Sequence, residues 1–225
     1  MSSQIGRRRQ AALSGGRDGY KERRKKLIDA AASVFREKGY GAASLGDVAN
    51  ALGTDRASLY YYVSSKEELF HAVVFQAAED NVVRAEAIRD GDLPVARKLA
   101  ALVRELMLSY EKHYPYLFVY IQEKMSMFGP EEEGSEWTAD MWDLNRRYED
   151  VVLAVVQQGL DEGVFKALAT PRVLSYGVIG MVNWSHRWFR PEGSVTAREV
   201  GDAFAEIVLK GLLADPDSWS PDEDA

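Results

Sequence analysis

Between Ser44 and Phe70 the chain reads SLGDVANALGTDRASLYYYVSSKEELF, two short segments of helical period separated by a glycine, the second ending in three consecutive tyrosines. Ser44 stands where a helix N-cap is needed, and Asp47 three residues on completes an S-x-x-D capping pattern. Leu45, Val48, Ala49 and Leu52 then share one face, and Gly53 ends that helix. A third helix is predicted over Asp55–Val63, its buried side supplied by Leu59 and Val63. Ser65 opens a fourth, with Glu67 and Glu68 in the first turn, where the helix dipole favours acid. Upstream, Leu27, Ile28, Ala31, Val34 and Phe35 form one apolar helix face, closed by Gly39 and Gly41. Three short helices joined by tight turns make a compact head, and the second turn leaves the short tyrosine-bearing helix on its surface.

The remaining pattern is helical too. The fourth helix is predicted to run to Ile88, and Gly91–Pro94 reads as a linker. Leu99, Leu102, Val103, Leu106 and Tyr110 repeat at helical spacing, and Pro115 restarts the chain into a segment ending near Phe128. Long helices follow over Glu136–Glu162, from Pro171 to before Pro191, and over Thr196–Leu213. No strand alternation, internal repeat or low-complexity tract is present. The expected fold is all-α, with about nine helices. Residues 1–19 read as a flexible basic arm, 20–66 as the head, 67–214 as a larger helical domain and 215–225 as an acidic, disordered tail.

The net charge of −7 hides a split. Residues 1–70 hold 13 Lys and Arg against 8 Asp and Glu, whereas residues 71–225 hold 15 against 27. A basic end on an acidic body points to a polyanion met at that end only. The absence of cysteine excludes disulfides, thiolate metal sites and cysteine nucleophiles. No apolar run approaches a bilayer span, and the N-terminus has no signal-peptide core, so a cytoplasmic protein without membrane contact is expected.

The short third helix concentrates groups suited to a DNA duplex, where phosphate contacts position a protein and base contacts specify sequence. Arg56 can reach a guanine or a phosphate. Tyrosine hydroxyls can donate to phosphates and ring edges can touch thymine methyls. Lys66 and the amides opening the fourth helix offer another phosphate site. Packing at a helix junction is the competing account of any one tyrosine. The arm carries Arg7, Arg8, Arg9, Arg17, Lys21, Arg23, Arg24, Lys25 and Lys26, either for phosphates or the minor groove, or as a solvated tail.

The span from Tyr20 to Val74, with IDAAASVFREKGYGAASLGDVANALGTDRASLYYYVSSKEELF, resembles the N-terminal domain of TetR-type transcriptional regulators. The resemblance implies a helix-turn-helix protein, a repressor, acting as a homodimer on a palindromic double-stranded DNA operator. It places Ser44 and Lys66 on phosphate, Tyr60 and Tyr62 on the DNA backbone, and Arg56, Ser58 and Tyr61 nearest the bases. Tyr62 stands where the family often has histidine, Val63 where it often has phenylalanine, and Gly46 is unusual within the second helix.

Aromatic residues crowd the larger domain: Tyr110, Tyr114, Tyr116, Phe118, Tyr120 and Phe128 around Pro115, then Trp137, Trp142 and Tyr148, then Trp184, Trp188 and Phe189. Most such residues are core or interface, and a subset can line an apolar effector pocket. GVIGMVNWSHRWFRPEGSVTAREVGDAFAEIVLKGL resembles the last two helices of TetR-type repressors governing lipid, steroid or acyl-thioester catabolism. Gly177, Gly180, Met181, Trp184 and Trp188 fall on one helical stripe. The ligand residues expected are Tyr120, Trp142, Met181, Trp184, Arg187 and Trp188, with a bulky apolar small-molecule effector such as an acyl-CoA or an aromatic compound. Asn183, Arg187, Arg190, Arg146 and Arg147 are candidate partners for an anionic group, or ordinary surface residues. By the same resemblance the last two helices build the dimer's four-helix bundle, to which Val200, Phe204, Ile207, Val208 and Leu212 contribute.

Two other classes remain. A helical metal enzyme of the di-iron kind draws on two Glu-x-x-His pairs. Glu68 and His71 make one, while His113 and His186 lack a glutamate three residues earlier. With no phosphate-cradling glycine loop and no nucleophile elbow, no catalytic residue, metal ligand or cofactor is assigned. The other alternative is an adaptor that has lost DNA binding, against which Arg56, Tyr60, Tyr61 and Lys66 stand intact.

Overall fold

The structure is a computed structural model that describes residues 17–114, residue 117 and residues 136–219. Eight α-helices occupy the described residues: α1 (Arg17–Lys38), α2 (Leu45–Ala51), α3 (Arg56–Leu59), α4 (Lys66–Asp90), α5 (Val95–Lys112), α6 (Glu136–Asp161), α7 (Pro171–Asn183) and α8 (Ala197–Leu212). No strand occurs among them; the one β-type pairing is an isolated antiparallel bridge between Phe165 and Leu213. The fold is all-α, as expected, and the helix expected between Pro115 and Phe128 lies outside the described residues. The chain divides into two compact units, residues 1–76 and 77–225, and α4 begins in the first and ends in the second.

In the first unit Leu27, Ala31, Phe35, Val48, Ala49, Leu59, Val63, Leu69 and Val74 form a core sealed from solvent. Each turn has a stated chemical cause. The Ser44 hydroxyl accepts from the Asp47 amide at 3.2 Å, and the Asp47 carboxylate accepts from the Ser44 amide at 2.9 Å, completing the capping box. Gly53 adopts φ +64°, a left-handed conformation that a side chain would strain. Helix α1 begins at Arg17, inside the expected arm, and carries the i,i+4 ion pairs Lys26–Glu22 and Lys25–Asp29.

The third helix is shorter than the predicted Asp55–Val63. Regular α-helix ends at Leu59, after which Tyr61 and Tyr62 donate to carbonyls three residues back, Ser58 and Leu59. Such tightening is common at helix ends. Ser64 and Ser65 then commit the chain to α4: Ser64 donates to Glu68 at 2.7 Å, and the Glu68 amide donates to the Ser65 hydroxyl at 3.0 Å.

The second unit packs α5 against α8 and α6 against α7, around Leu99, Ala100, Met107, Met141, Val151, Val155, Val156, Ala205 and Leu209. Thr170 and Thr196 cap α7 and α8, the latter in a capping box with Glu199. Helix α6 turns out of its end on Gly163, at φ +70°. Phe165 then lies flat on α6, so close that a methyl group added at Gly159 would sit 2.1 Å from its ring.

Two expectations are corrected here. Regular helix in the tryptophan segment stops at Asn183 and tightens into a 3-10 turn over Trp184–Arg187, which turns Ser185, His186 and Phe189 inward. The acidic tail is ordered at its start. The backbone of Ala214 donates to Val164 at 2.9 Å, Pro216–Ser218 forms a 3-10 turn, and Trp219 is buried with the Arg97 guanidinium 4.3 Å from its ring centre.

Candidate nucleic-acid interface and effector unit

Helix α3 is a single turn whose first amides are satisfied from within. Asp55 caps it, accepting from the Ser58 amide at 2.9 Å and the Ser58 hydroxyl at 2.8 Å. These bonds, the larger being the Ser58 hydroxyl, hold the Asp55 carboxyl below its ordinary range. Ser58 is therefore engaged in shaping the turn. Arg56 donates to the Tyr60 hydroxyl at 2.9 Å, its guanidinium 5.7 Å from the ring centre. Leu59 and Val63 are buried beneath, so Arg56, Tyr60 and Tyr61 ride on an anchored turn. Tyr62 packs against Tyr20 of α1 with ring centres 5.2 Å apart.

Lys66 has a part that its sequence position does not disclose. Its ammonium donates to the carbonyls of Tyr40, Ala43 and Gly41 at 2.8, 3.0 and 3.4 Å, and lies 4.5 Å from the Tyr40 ring centre. One lysine thus ties the start of α4 to the loop before α2. Tyr40 in turn stacks on Phe70, centres 4.6 Å apart. Lys38 closes the same corner through Asp47 at 2.5 Å. The Lys38 contact and the two Ser44 bonds lower the Asp47 carboxyl to about 2. Glu68, half of the only Glu-x-x-His pair, serves the helix start through Ser64. No group of three His, Asp or Glu that can hold a metal ion exists among the described residues.

In the second unit most of the expected ligand residues that are described lie at the surface. Tyr120 lies outside the described residues. Trp142 is 64% exposed, Trp184 55% and Trp188 46%, and Met181 is half-buried. Arg187 stacks its guanidinium on Trp184 at 5.4 Å. The stripe of Gly177, Gly180, Trp184 and Trp188 faces out of the unit, joined by exposed Val173 and Tyr176. On α8, Val200 and Leu212 turn into the unit's own core, whereas Ile207 is 61% exposed with half-buried Phe204 and Val208 beside it. The reason is angular: Ile207 is two residues from both Ala205 and Leu209, hence about 200° around the helix from the buried side. Trp188 meets Phe204 edge to face at 6.2 Å, linking the two apolar surfaces.

The polar contacts inside this unit were not legible in the sequence. Tyr110 donates to the Asn183 side chain. Burial pushes the Tyr110 and Tyr148 hydroxyls well above the usual phenol range, so both stay protonated. Arg147 donates to Glu86 through Nε and Nη2, the nearer contact at 3.0 Å, and Arg84 meets Glu105 at 3.2 Å. Lys98, buried, donates to the Arg89 carbonyl at 2.6 Å near the end of α4. Arg146 pairs locally with Asp143 and Arg190 donates to the Phe189 carbonyl.

Comparison with known proteins covers both units. Residues 27–73 match the family described as bacterial regulatory proteins, tetR family, and residues 92–212 match the tetracyclin repressor-like C-terminal domain. The HTH-type transcriptional repressor KstR2 of Mycobacterium tuberculosis is 28% identical over 191 residues, spanning 84% of this chain and 92% of the relative. The solved structure of that ketosteroid transcriptional regulator superposes with a TM-score of 0.67 at 26% identity, over 86% of this chain and 96% of the other. A TetR/AcrR-family regulator from Thermobifida fusca gives a TM-score of 0.71 at 27% identity over 84% and 98%. PfmR of Thermus thermophilus gives 0.68 at 30% over 82% and 97%.

Proposed function

The chain belongs to the TetR family of bacterial regulators, and from that premise we propose that it is a non-enzymatic, cytoplasmic repressor that binds a palindromic operator as a homodimer and is released by a bulky apolar effector. One observation carries the DNA-binding half: a capped single-turn α3, anchored by Leu59 and Val63, that displays Arg56, Tyr60 and Tyr61 together. In this reading those side chains face the major groove. The α2 N-terminus at Ser44 meets phosphate, as do Tyr62 and the start of α4 around Lys66. Lys66 also acts indirectly, since its three carbonyl bonds tie the start of α4 to the loop before α2.

The exposed apolar surface on α7 and α8 is assigned to the second copy. Val173, Tyr176, Trp184, Trp188 and Ile207 are too many large apolar groups to leave in water, and the exposed glycines Gly177 and Gly180 permit close helix approach. Trp184 and Trp188 therefore serve the dimer face in preference to the pocket. The full-length likeness to a repressor named for ketosteroids supports an effector of lipid-like bulk, whether fused-ring or acyl thioester.

The two heads of the dimer must present their α3 turns about 34–36 Å apart to reach successive major grooves. An effector that prefers another spacing lowers operator affinity by no more than its own preference between the two states. The continuous α4 carries that change. The test is a gel shift with the DNA upstream of the chain's own coding region, at low salt and without effector. A sequence-specific shift is expected. Its absence overturns the proposal and leaves the adaptor reading.

A further inference from the structure

Within the second unit, α5 and α8 approach so closely that a methyl group added at Gly201 would sit 3.1 Å from the Arg104 backbone. Helix α5 and α8 also line a groove of about 200 Å³, more than ten times the roughly 10–15 Å³ that one water needs. Its wall carries Arg97, Ala101, Arg104 and Glu105 from α5, and Arg198 and Asp202 from α8. Three arginines thus stand against two carboxylates, and both carboxylates are held already. Asp202 accepts from Arg104 at 2.6 Å, and Glu105 accepts from Arg84 of α4 at 3.2 Å. The groove is therefore positive on balance in an otherwise acidic unit.

The last described residue is anchored on the same wall. Trp219 is buried, with the Arg97 guanidinium 4.3 Å from its ring centre. Arg97 therefore belongs both to the seat of Trp219 and to the groove. The sequence continues Ser220, Pro221, Asp222, Glu223, Asp224, with three consecutive acids. Pro221 fixes its own φ and biases Ser220 to extended backbone. At about 3.3–3.6 Å per extended residue, Asp222 to Asp224 reach roughly 10–18 Å from Trp219. Arg97 and Arg104 are seven residues apart on α5, about 10 Å along the helix.

We propose that the segment 220–225 occupies this groove, with Asp222, Glu223 and Asp224 against Arg97, Arg104 and Arg198, as a strap across α5 and α8. Sign of charge and length of chain both fit. Exposed ion pairs are individually weak. Here Trp219 has already fixed the start of the segment, so the acids meet the arginines at an effective concentration of about millimolar. The seated strap supplies counter-charge from within the chain and keeps the groove from taking phosphate anions. This inference stands apart from operator binding and holds whether or not the head reads DNA.

The chain has no cysteine, so an introduced pair reports without background. A disulfide forms only when the two Cα atoms come within about 7 Å. Ala101→Cys with Glu223→Cys, in the full chain under mild oxidation, is expected to give an intrachain link, mapped by proteolysis. Adding Asp222→Asn and Asp224→Asn is expected to slow the link about tenfold, and Arg198→Gln, at an exposed position, about threefold. Calorimetry with inorganic pyrophosphate is the second measurement. The cysteine-free protein carrying Asp222→Asn, Glu223→Gln and Asp224→Asn is expected to bind it about tenfold more tightly than the wild type, and Arg198→Gln to remove most of that gain. A link formed only between chains places the segment on a second copy and overturns the proposal. So does no link, a link whose rate ignores the charge substitutions, or pyrophosphate affinity that is the same with and without the acids.

Discussion

The two units solve the same problem, holding functional side chains in place, by opposite means. In residues 17–76 nearly every relevant contact is either local or runs to one corner. Ser44 bonds Asp47, Asp55 bonds Ser58, Arg56 bonds Tyr60, and Lys66 gathers the carbonyls of one loop. In residues 77–219 local caps and pairs are joined by contacts between distant helices: Arg104 with Asp202, Tyr110 with Asn183, Arg147 with Glu86. The first unit is built largely from short-range chemistry. The second holds its helices by long-range packing and half-exposed ion pairs, which suits an element that must change arrangement.

The contrast is open to direct attack, beginning where the effect is largest. Leu59→Ala opens a cavity under α3 and is expected to cost the first unit about 2–5 kcal/mol. All five tryptophans lie in the second unit. The loss should therefore appear as an early unfolding phase by far-UV circular dichroism, with the tryptophan fluorescence transition unmoved. If both probes shift together, the two units do not unfold separately. Next, Lys66→Met strips three carbonyls of their donor and should cost about 1–3 kcal/mol in the same early phase. Were Lys66 only a phosphate contact, the substitution would weaken operator binding and leave the unfolding curve unchanged.

Ile207→Asp sharpens the other side. It should convert the dimer to monomer in sedimentation velocity while changing the monomer's own stability within about 0.5 kcal/mol, as exposed positions do. An unaltered dimer would remove α8 from the interface. The smallest effect expected is that of pH. The folded Asp47 carboxyl sits at about 2, below its unfolded value, so its contribution is fully present above the unfolded value. It is lost as pH falls from about 4 towards 2. Early-phase stability of the wild type should decline over that window, and Asp47→Asn should flatten the decline.

The same contrast explains what the sequence discloses. Caps at Ser44 and Thr196, the turn at Gly53 and the apolar face around Phe35 are legible because each depends on residues within a turn or two of one another. The all-α class and most helix ends follow from such signals. The Lys66 lock is not legible, since it joins residues 23 to 26 positions apart. Nor is the outward direction of Trp184 and Trp188, because a stripe of small and aromatic residues reads alike for a pocket wall and for a surface awaiting a second copy. On α8 the resemblance assigns Val200, Phe204, Ile207, Val208 and Leu212 alike to the dimer, whereas the helix angle separates Val200 and Leu212 from Ile207.

In the proposed dimer two α3 turns read one operator in register. Hydroxyl-radical footprinting of the upstream DNA is the test of that arrangement. Two protected segments related by a dyad are expected, with centres about 34–36 Å apart along one face of the duplex, both lost in an Arg56→Ala and Tyr61→Ala double variant that remains folded. A single protected segment, protection without regard to sequence, or a footprint that survives the double variant would contradict it.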